Sequence, residues 1–434
     1  MKKNEVYTTQ ILDLTNMAYG VARIDGWVVF VPNVLAQEEV KVGITKVCKK
    51  YAYARLIEVI KPSPDRIEPV CPVAKTCGGC QLQHMRYPAQ LAYKQKMVQD
   101  WMPEQEVRYP LGMNTPYAYR NKAQFPIQIH SDKVVMGFYR LHSNDIVPIQ
   151  RCAIQDPVIN DLYEWFQQHL TPRLAQGLRH IYIRYCSSTH QSQIVLIGQQ
   201  KNDWEPLVKD CVATFDHVAS IVYNRNTRKD NVILGEEYEV LYGKPYILAT
   251  CFENQVRLHF KAFFQVNSMQ MEVLYQQALQ AACLDPSMTV IDLYAGTGTI
   301  GMMAASYVKQ VIGVEIVPEA VENAKENYAL NDLHNGSYYC MDASQFAHAM
   351  KEQKQNVDVV FVDPPRKGMN KQGIEDIAKL DPQRVIYVSC NPKTLARDIQ
   401  SFAQVGYDCQ YVQPVDLFCQ TNGIECVAKL EKID

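Results

Sequence analysis

The feature that most constrains the fold is the regular alternation of apolar strands and helical segments from Asn267 to the C-terminus. One apolar stretch, 289–293, runs directly into a glycine-rich turn, 294–301, and then into a helix. Further stretches of strand character follow at 311–315, 359–362 and 384–389. This alternation predicts a doubly wound α/β domain whose parallel sheet binds ligands beyond the carboxyl ends of its strands.

The composition is that of a globular chain of several domains. Its 434 residues exceed one ordinary core, so roughly two to four domains are expected. No apolar run approaches the roughly 18 residues of a membrane helix. The polar start, residues 1–5, is unlike a secretory signal, so we expect a cytoplasmic protein without membrane contact. The net charge of −2 means that any affinity for nucleic acid must come from local basic patches.

The chain divides into three expected domains. Residues 1–61 read as short strands that form a small β-barrel, and the interleaved cations and aromatics of 46–55 suit an RNA backbone or, alternatively, a solvated hairpin. Residues 62–260 are expected to form a central α+β domain. It contains an amphipathic helix over about 88–101, which is expected to pack on the catalytic domain. Residues 261–434 are the doubly wound domain.

Three carboxylates follow successive strands of the C-terminal domain. Glu315 ends the second strand and suits ribose hydroxyls, Asp342 follows the third, and Asp363 begins the Asp-Pro-Pro-Arg motif after the fourth. Each alone could be a helix cap or an exposed turn carboxylate. Their joint order resembles the Rossmann-like methyltransferases that use S-adenosylmethionine.

Cys390 lies immediately after the strand at 384–389 and before a helix. We expect the N-terminus of that helix, with Lys393 and Arg397 nearby, to lower the pKa of the thiol. The alternative is an inert core cysteine, as cysteine usually is. That alternative interpretation is applied to Cys48, Cys186, Cys211, Cys251, Cys283 and Cys340.

Two motifs together resemble the RNA 5-methyluridine methyltransferase family. They are Asp363-Pro-Pro-Arg366, and Ser389-Cys390-Asn-Pro392 with the Thr-Leu-Ala-Arg-Asp that follows it. The resemblance implies that Cys390 adds to carbon 6 of uracil, because carbon 5 alone is too weak a nucleophile. It also implies that Glu425 removes the carbon-5 proton, although an exposed strand glutamate is the plainer alternative.

The same resemblance implies a set of cofactor contacts and a base-stacking residue. Phe263 is expected to stack on the flipped uracil. Cys419 and Gly423 stand where family members usually carry a proline and a histidine, which puts the stiffness of the loop before the glutamate in question. The implied S-adenosylmethionine contacts are Gln265, Tyr294, Thr299, Glu315, Asp342 and Asp363.

Four further cysteines form a metal-ligand pattern. Cys71, Cys77, Cys80 and the distant Cys152 could hold zinc, an iron–sulfur cluster or nothing at all on spacing alone. A radical S-adenosylmethionine enzyme would space three cysteines Cys-x-x-x-Cys-x-x-Cys and leave one iron open. The family resemblance implies a closed four-iron, four-sulfur (4Fe-4S) cluster with a folding role.

The resemblance extends over nearly the whole chain: an OB-like TRAM barrel, a central iron–sulfur domain and the catalytic domain. This combination looks most like the branch that modifies bacterial 23S ribosomal RNA at an unpaired or loop uridine. A transfer RNA substrate and a non-catalytic RNA-binding or assembly protein are the alternatives. A monomer is expected.

Overall fold

The computed structural model describes residues 1–342, 345–346, 349–350 and 356–433. Within these residues the strands form three large sheets and one separate hairpin. No helix in the described ranges is both long and apolar enough to cross a membrane.

The N-terminal sheet has six strands in the order β1-β5-β6-β4-β3-β2. Its pairs are antiparallel except for β4 with β6. Alternate residues such as Val29, Val31, Val40 and Val42 are fully buried in a core of their own, as period-2 patterning requires. The strands are β1 (Val6–Gln10), β2 (Asp13–Leu14), β3 (Gly20–Ile24), β4 (Trp27–Val31), β5 (Glu39–Val47) and β6 (Tyr51–Lys61).

The central sheet has seven strands in the order β13-β12-β11-β10-β7-β8-β9. Three helices cover it, α2 (Pro157–His169), α3 (Pro172–Ala175) and α4 (Glu205–Thr214), and their apolar side chains share one core with the sheet. The strands are β7 (Lys122–His130), β8 (Lys133–Tyr139), β9 (Ile146–Pro148), β10 (Leu178–Cys186), β11 (Gln191–Gly198), β12 (Val218–Arg225) and β13 (Tyr238–Gly243).

Two elements from the middle of the chain pack against the C-terminal sheet. Helix α1 (Tyr87–Trp101) buries Tyr93, Met97 and Val98 in the same core as that sheet. The hairpin of β14 (Tyr246–Cys251) and β15 (Asn254–His259) packs on its opposite face. The C-terminal core therefore depends on segments outside residues 261–434, while the domain boundaries themselves stay a prediction.

The C-terminal sheet has the order β18-β17-β16-β19-β20-β22-β21, so the expected doubly wound α/β fold is confirmed. The first five strands in this order are parallel to one another, and β22 and β21 add an antiparallel edge. The strands are β16 (Thr289–Leu293), β17 (Gln310–Glu315), β18 (Gly336–Cys340), β19 (Val359–Val362), β20 (Arg384–Ser389), β21 (Tyr407–Val415) and β22 (Glu425–Lys432).

Helices cover both faces of this sheet. Neighbouring residues Val290 and Ile291 are both fully buried, but they pack into different cores on opposite faces, because strand side chains alternate. The strand order reverses at β16, and the crevice beside such a reversal is where open α/β sheets bind ligands. The helices are α5 (Ser268–Ala282), α6 (Thr299–Ala304), α7 (Pro318–Leu330), α8 (Lys371–Lys379) and α9 (Pro392–Ala403).

Candidate active site

A cavity of about 1160 Å³ opens at the carboxyl ends of β16, β17 and β19. Of the six residues implied to contact the cofactor, four line it: Tyr294, Thr299, Glu315 and Asp363. The other two lie around it. Gln265 is buried, and its side chain lies close enough to Tyr275, which does line the cavity, to oppose the rise that burial causes in the pKa of that phenol. Asp342 is exposed after β18, close enough to Tyr294 for its charge to raise, after burial, the pKa of that phenol.

A buried carboxylate fixes the glycine-rich turn. The Gly301 N–H donates to Asp292 Oδ2 at 2.9 Å, while Asp292 Oδ1 has no hydrogen-bond partner among the described residues. Burial raises the pKa of Asp292 to about 7. Gly298 has a left-handed backbone (φ +77°), and a Cβ there would lie 2.7 Å from the Tyr338 hydroxyl. Only glycine fits this turn without displacing its neighbours.

Glu315 connects the glycine-rich turn to helix α7. Its Oε2 accepts from the Gly296 N–H at 3.0 Å, and its Oε1 accepts from the Ile316 and Val317 N–H groups at 2.7 and 3.0 Å. An ionised carboxylate offers about four acceptor positions. Three are used here, so Glu315 both shapes the loop and keeps limited capacity for the hydroxyl groups of a ligand.

Cys390 and Glu425 lie close together at one end of the β20–β22 pair. The antiparallel register ends at Ser389 opposite Cys426, so Cys390 directly follows the last residue of β20 in the ladder and Glu425 directly precedes Cys426. The charge of Glu425 acts on the Cys390 thiol. Cys390 is half-buried, whereas Glu425 is only 3% exposed. The structure thus brings the predicted nucleophile, the predicted base and Asp363 to one end of the sheet.

The electrostatics of this pair differ from the sequence-based expectation. Burial, together with the charge of Glu425, raises the pKa of the Cys390 thiol instead of lowering it. Burial and the neighbouring Asp363 likewise hold the pKa of Glu425 well above its usual range. The cation that favours ionisation of both groups is Arg366, whose guanidinium lies close enough to the thiol and the carboxyl to oppose both shifts.

Lys393 and Arg397 are not the cations that act on the thiol, so that expectation is wrong. The Lys393 ammonium lies 5.4 Å from the centre of the Trp101 ring. Arg397 pairs with Asp398 at 2.7 Å and donates to the Met369 carbonyl at 2.8 Å. Its guanidinium therefore braces the loop that follows the Asp-Pro-Pro-Arg motif.

The two catalytic motifs are tied together by hydrogen bonds. Asn391 caps helix α9 by accepting from the Lys393 N–H at 3.2 Å, and its amide group donates to the Arg366 carbonyl at 2.9 Å. Thr394 Oγ1 lies 3.4 Å from the same carbonyl. These contacts hold Arg366 beside Cys390, a role that the sequence analysis missed although the arginine stands in the motif it quoted.

Phe263 projects from the wall of the same cavity. Its side chain is 67% exposed although the residue lines the cavity. The Lys122 ammonium lies 6.0 Å from the centre of its ring. Burial, reinforced by Arg184 and Arg120, lowers the pKa of Lys122 to about 8. The ring is thus free to stack on a flat partner beside a cluster of cations.

Cys71, Cys77, Cys80 and Cys152 line a second cavity, of about 230 Å³. Burial raises the pKa of Cys80 to about 12 and that of Cys152 to about 11, and the neighbouring thiols add to both shifts. Among the described residues, no group of three or more histidine, cysteine or acidic side chains is arranged to hold a metal ion. The four thiols therefore share a cavity without forming a compact single-ion site.

The remaining cysteines only partly fit the expectation of inert core residues. Cys186, Cys211 and Cys251 are buried, as expected. Cys283 and Cys340 are exposed, so that expectation is wrong for them. Cys283 follows the last turn of α5 and Cys340 ends the edge strand β18, where one side faces solvent.

The loop between β21 and β22 carries the two departures from the family pattern. Cys419 is fully buried, and its carbonyl accepts from the Tyr119 hydroxyl at 2.8 Å. The Gly423 N–H donates to Thr421 Oγ1 at 3.1 Å, and a Cβ at Gly423 would lie 3.1 Å from the Phe418 side chain. The loop is ordered by contacts from elsewhere in the chain instead of by its own proline.

Comparison with known proteins agrees with this geometry. The sequence model of the tRNA (uracil-5-)-methyltransferase family matches residues 86–433, and that of the TRAM domain matches residues 2–57. A protein of Halalkalibacterium halodurans named as an RNA methyltransferase is 42% identical over 99% of this chain and 98% of its own length. One from Clostridium tetani, named in the same way, is 39% identical over 98% and 96%.

A solved structure also matches nearly the whole chain. The Pyrococcus abyssi tRNA (uracil-54, C5)-methyltransferase in complex with S-adenosyl-L-homocysteine superposes with a TM-score of 0.78 and 26% sequence identity, covering 98% of this chain and 99% of its own. Because the family model spans most of the chain and the relatives extend over its full length, the chain belongs to the tRNA (uracil-5-)-methyltransferase family of S-adenosylmethionine-dependent RNA uracil-C5 methyltransferases, with a TRAM domain at its N-terminus.

Proposed function

We propose that this protein methylates carbon 5 of an unpaired uridine in RNA, with Cys390 as the nucleophile and Glu425 as the base. The observation that carries the proposal is the pairing of β20 with β22, which puts a thiol and a buried carboxyl next to each other and near Asp363, a residue that lines the cofactor cavity. A uracil ring between them would present carbon 6 to sulfur and carbon 5 to the cavity.

The reaction needs both residues in turn. The Cys390 thiolate adds to carbon 6, and the electron pair of the carbon 5–carbon 6 double bond makes carbon 5 nucleophilic. S-adenosylmethionine, when bound, supplies an electrophilic methyl group. Once carbon 5 carries that methyl group, Glu425 takes its remaining proton, the double bond re-forms and the sulfur leaves carbon 6. The raised pKa of Glu425 suits this step, because a carboxylate with a higher pKa is the stronger base.

The cavity at β16 fits the proposed cofactor. A Cβ added at Gly296 would meet no described atom within 4 Å, so the turn leaves room for a ligand to approach the backbone. Tyr294, Thr299, Glu315 and Asp363 would hold the cofactor there. Gln265 would act by positioning Tyr275, and Asp342 would contact the outer part of the ligand.

Phe263 would stack on the target base. A uridine must leave its helical stack to reach Cys390, and an exposed ring replaces the stacking energy that it loses. The basic and aromatic residues of the TRAM domain would hold the neighbouring backbone.

We further propose that Cys71, Cys77, Cys80 and Cys152 hold a 4Fe-4S cluster with a structural role. Four thiols around one cavity form the donor set of such a cluster, whose ligands stand farther apart than those of a single zinc ion. Burial keeps the Cys80 and Cys152 thiols protonated unless metal binds them. Anaerobically purified protein should contain iron and sulfide in equal amounts, whereas stoichiometric zinc without sulfide would contradict the assignment.

The RNA class is the open part of the proposal. The domain combination favours 23S ribosomal RNA, but a tRNA-modifying enzyme matches 98% of this chain, which favours transfer RNA as the second candidate. Nucleoside mass spectrometry of both RNAs, with and without the gene, decides between them. We expect one 5-methyluridine in ribosomal RNA to disappear and to return with the wild-type gene but not with Cys390→Ala. Loss in tRNA would overturn the ribosomal assignment, and no change in either RNA would overturn the proposed methylation.

A further inference from the structure

The nine residues that lead into Glu425 are held from outside the catalytic sheet. Gln420, in the middle of this loop, accepts at its carbonyl from the Gln81 and Leu82 N–H groups at 3.1 and 3.0 Å. Its side chain accepts from the Gln90 amide at 2.9 Å, and the Gln420 N–H donates back to Gln90 Oε1 at 3.1 Å. Helix α1 thus holds the centre of the loop through two reciprocal hydrogen bonds.

A second contact from the same helix fixes the start of the loop. The Lys94 ammonium lies 2.6 Å from Asp416 Oδ1, and both side chains are fully buried. The ammonium also donates to the Phe418 carbonyl at 3.1 Å, and the Tyr87 hydroxyl donates to Asp416 Oδ2 at 2.9 Å. Both oxygens of the carboxylate and two donors of the ammonium are therefore satisfied.

The buried ion pair is better explained by a role in positioning the loop than by a contribution to the stability of the fold. Removing two charges from water costs roughly as much free energy as their attraction returns, so a buried ion pair is weak evidence for a stabilising role. A directional, fully bonded pair does fix the position of the segment that carries it. Here that segment lacks the family's proline and histidine, and Gly423 gives it extra backbone freedom just before Glu425.

We propose that Lys94 and Gln90, both on helix α1, are positioning residues for the base: they hold the 416–424 loop so that Glu425 reaches the carbon-5 proton. This inference rests on the proposed function of Glu425. Releasing the loop should slow proton removal and leave the attack of Cys390 and the methylation of carbon 5 largely intact. The methylated RNA would then stay bonded to the protein through sulfur.

The test is a double variant that removes both buried charges together and is assayed for trapped RNA. In K94M/D416N no buried charge is left unpaired, and the Tyr87 bond to residue 416 can persist. We expect turnover to fall about 100-fold, as for a misplaced catalytic group, while single-turnover methyl transfer stays within about threefold of wild type. A covalent protein–RNA complex carrying the labelled methyl group should accumulate on a denaturing gel.

Two further variants keep the test decisive. Lys96→Met lies on the same helix but removes an exposed ammonium that pairs with Asp13 and Asp100, so turnover should be unchanged. Gln90→Leu releases the loop without touching the ion pair, and it replaces K94M/D416N if that protein does not fold. It should also accumulate the complex.

The outcomes separate this inference from the function on which it rests. Glu425→Gln should trap the methylated complex most strongly. If it does and neither released-loop variant does, the positioning role is wrong and the function stands. If turnover and methyl transfer fall together in the released-loop variants, the contacts are merely structural. If Glu425→Gln traps nothing, the proposed role of Glu425 fails first.

Discussion

The two halves of the active site are built in different ways. In the strand-end half, formed by Asp292, Tyr294, Glu315 and Asp363, the carboxylates of Asp292 and Glu315 bond to backbone groups 9 and 19 residues away in sequence. In the loop half, formed by Glu425 and the loop 416–424, the partners are more than 300 residues apart. The first half follows from the order of neighbouring parallel strands in one sheet, whereas the second exists only when distant segments have packed.

Because of this difference, substitutions in the two halves should affect different steps of the reaction. Changes in the strand-end half should act on cofactor binding and on the thiol. Changes in the loop half should act on proton removal. The following experiments test that separation, beginning with the largest expected effect.

Cys390→Ala should lower methyl transfer by about 10⁴-fold or more, because it removes the thiol that the proposed reaction adds to carbon 6. The covalent RNA complex should be absent on denaturing gels, including in combination with Glu425→Gln. The iron content should be unchanged, since Cys390 lies outside the four-cysteine cavity. A complex that persists without Cys390 would show that the nucleophile lies elsewhere.

Arg366→Leu should slow adduct formation at neutral pH by about 10- to 100-fold, as expected when a neighbouring cation that favours the thiolate is removed. The pKa of Cys390 is already raised by burial, and Arg366 opposes that shift. Without the guanidinium the thiolate forms only at higher pH, so raising the pH should restore much of the rate.

The matched control for this experiment is Lys393→Met, which removes a cation in the first turn of helix α9, the helix that follows Cys390. Its ammonium lies over the Trp101 ring instead of the thiol, so the pH profile of adduct formation should not move. A shift with Lys393→Met and none with Arg366→Leu would reverse the assignment of the cation.

Glu315→Ala should weaken binding of S-adenosylhomocysteine by about 10-fold, because three backbone N–H groups lose their shared acceptor. Isothermal titration calorimetry measures the change directly. No methylated covalent complex should build up, because the loop half is untouched. Accumulation of that complex would show that the two halves are coupled and would contradict their separate roles.

Asp292→Asn should raise stability at neutral and alkaline pH by about 2–5 °C in the unfolding midpoint. Burial raises the pKa of Asp292 from 3.8 to about 7. Between these values the folded state binds more protons than the unfolded state, so wild-type stability falls as pH rises through this window. The unfolding midpoint of the variant, measured by calorimetry, should fall less steeply from pH 4 to 8 than that of the wild type. The same pH dependence in both proteins would contradict the assigned ionisation of Asp292.

The strand-end half was largely predictable from sequence. Glu315 and Asp363 follow apolar strands whose order fixes where parallel strands end, and both line the cavity. Cys390 was placed at the same edge by the strand before it. The direction of its pKa was predicted wrongly, because the position of a helix does not reveal which side chains on it point at the thiol.

The loop half could not be read from sequence in the same way. The bond between Lys94 and Asp416 depends on helix α1 packing against a sheet formed much later in the chain. Periodicity predicted nearly the right bounds for the helix, 88–101 against the observed Tyr87–Trp101. However, the sequence does not reveal which residue a polar side chain on a buried helix face will contact. Such contacts are determined by tertiary packing.

The placement of helix α1 also has a consequence for how the protein is made. The helix emerges from the ribosome long before its partners, since Lys94 and Asp416 are 322 residues apart in the chain. At roughly 5–20 residues per second, that stretch takes roughly 15–65 s to synthesise. During that time Met97 and Val98 lack the core that buries them in the finished protein. Completion of the catalytic site is thus a late event in synthesis, and a chain that stalls or is truncated before Asp416 carries an uncovered apolar helix that chaperones and proteases can recognise.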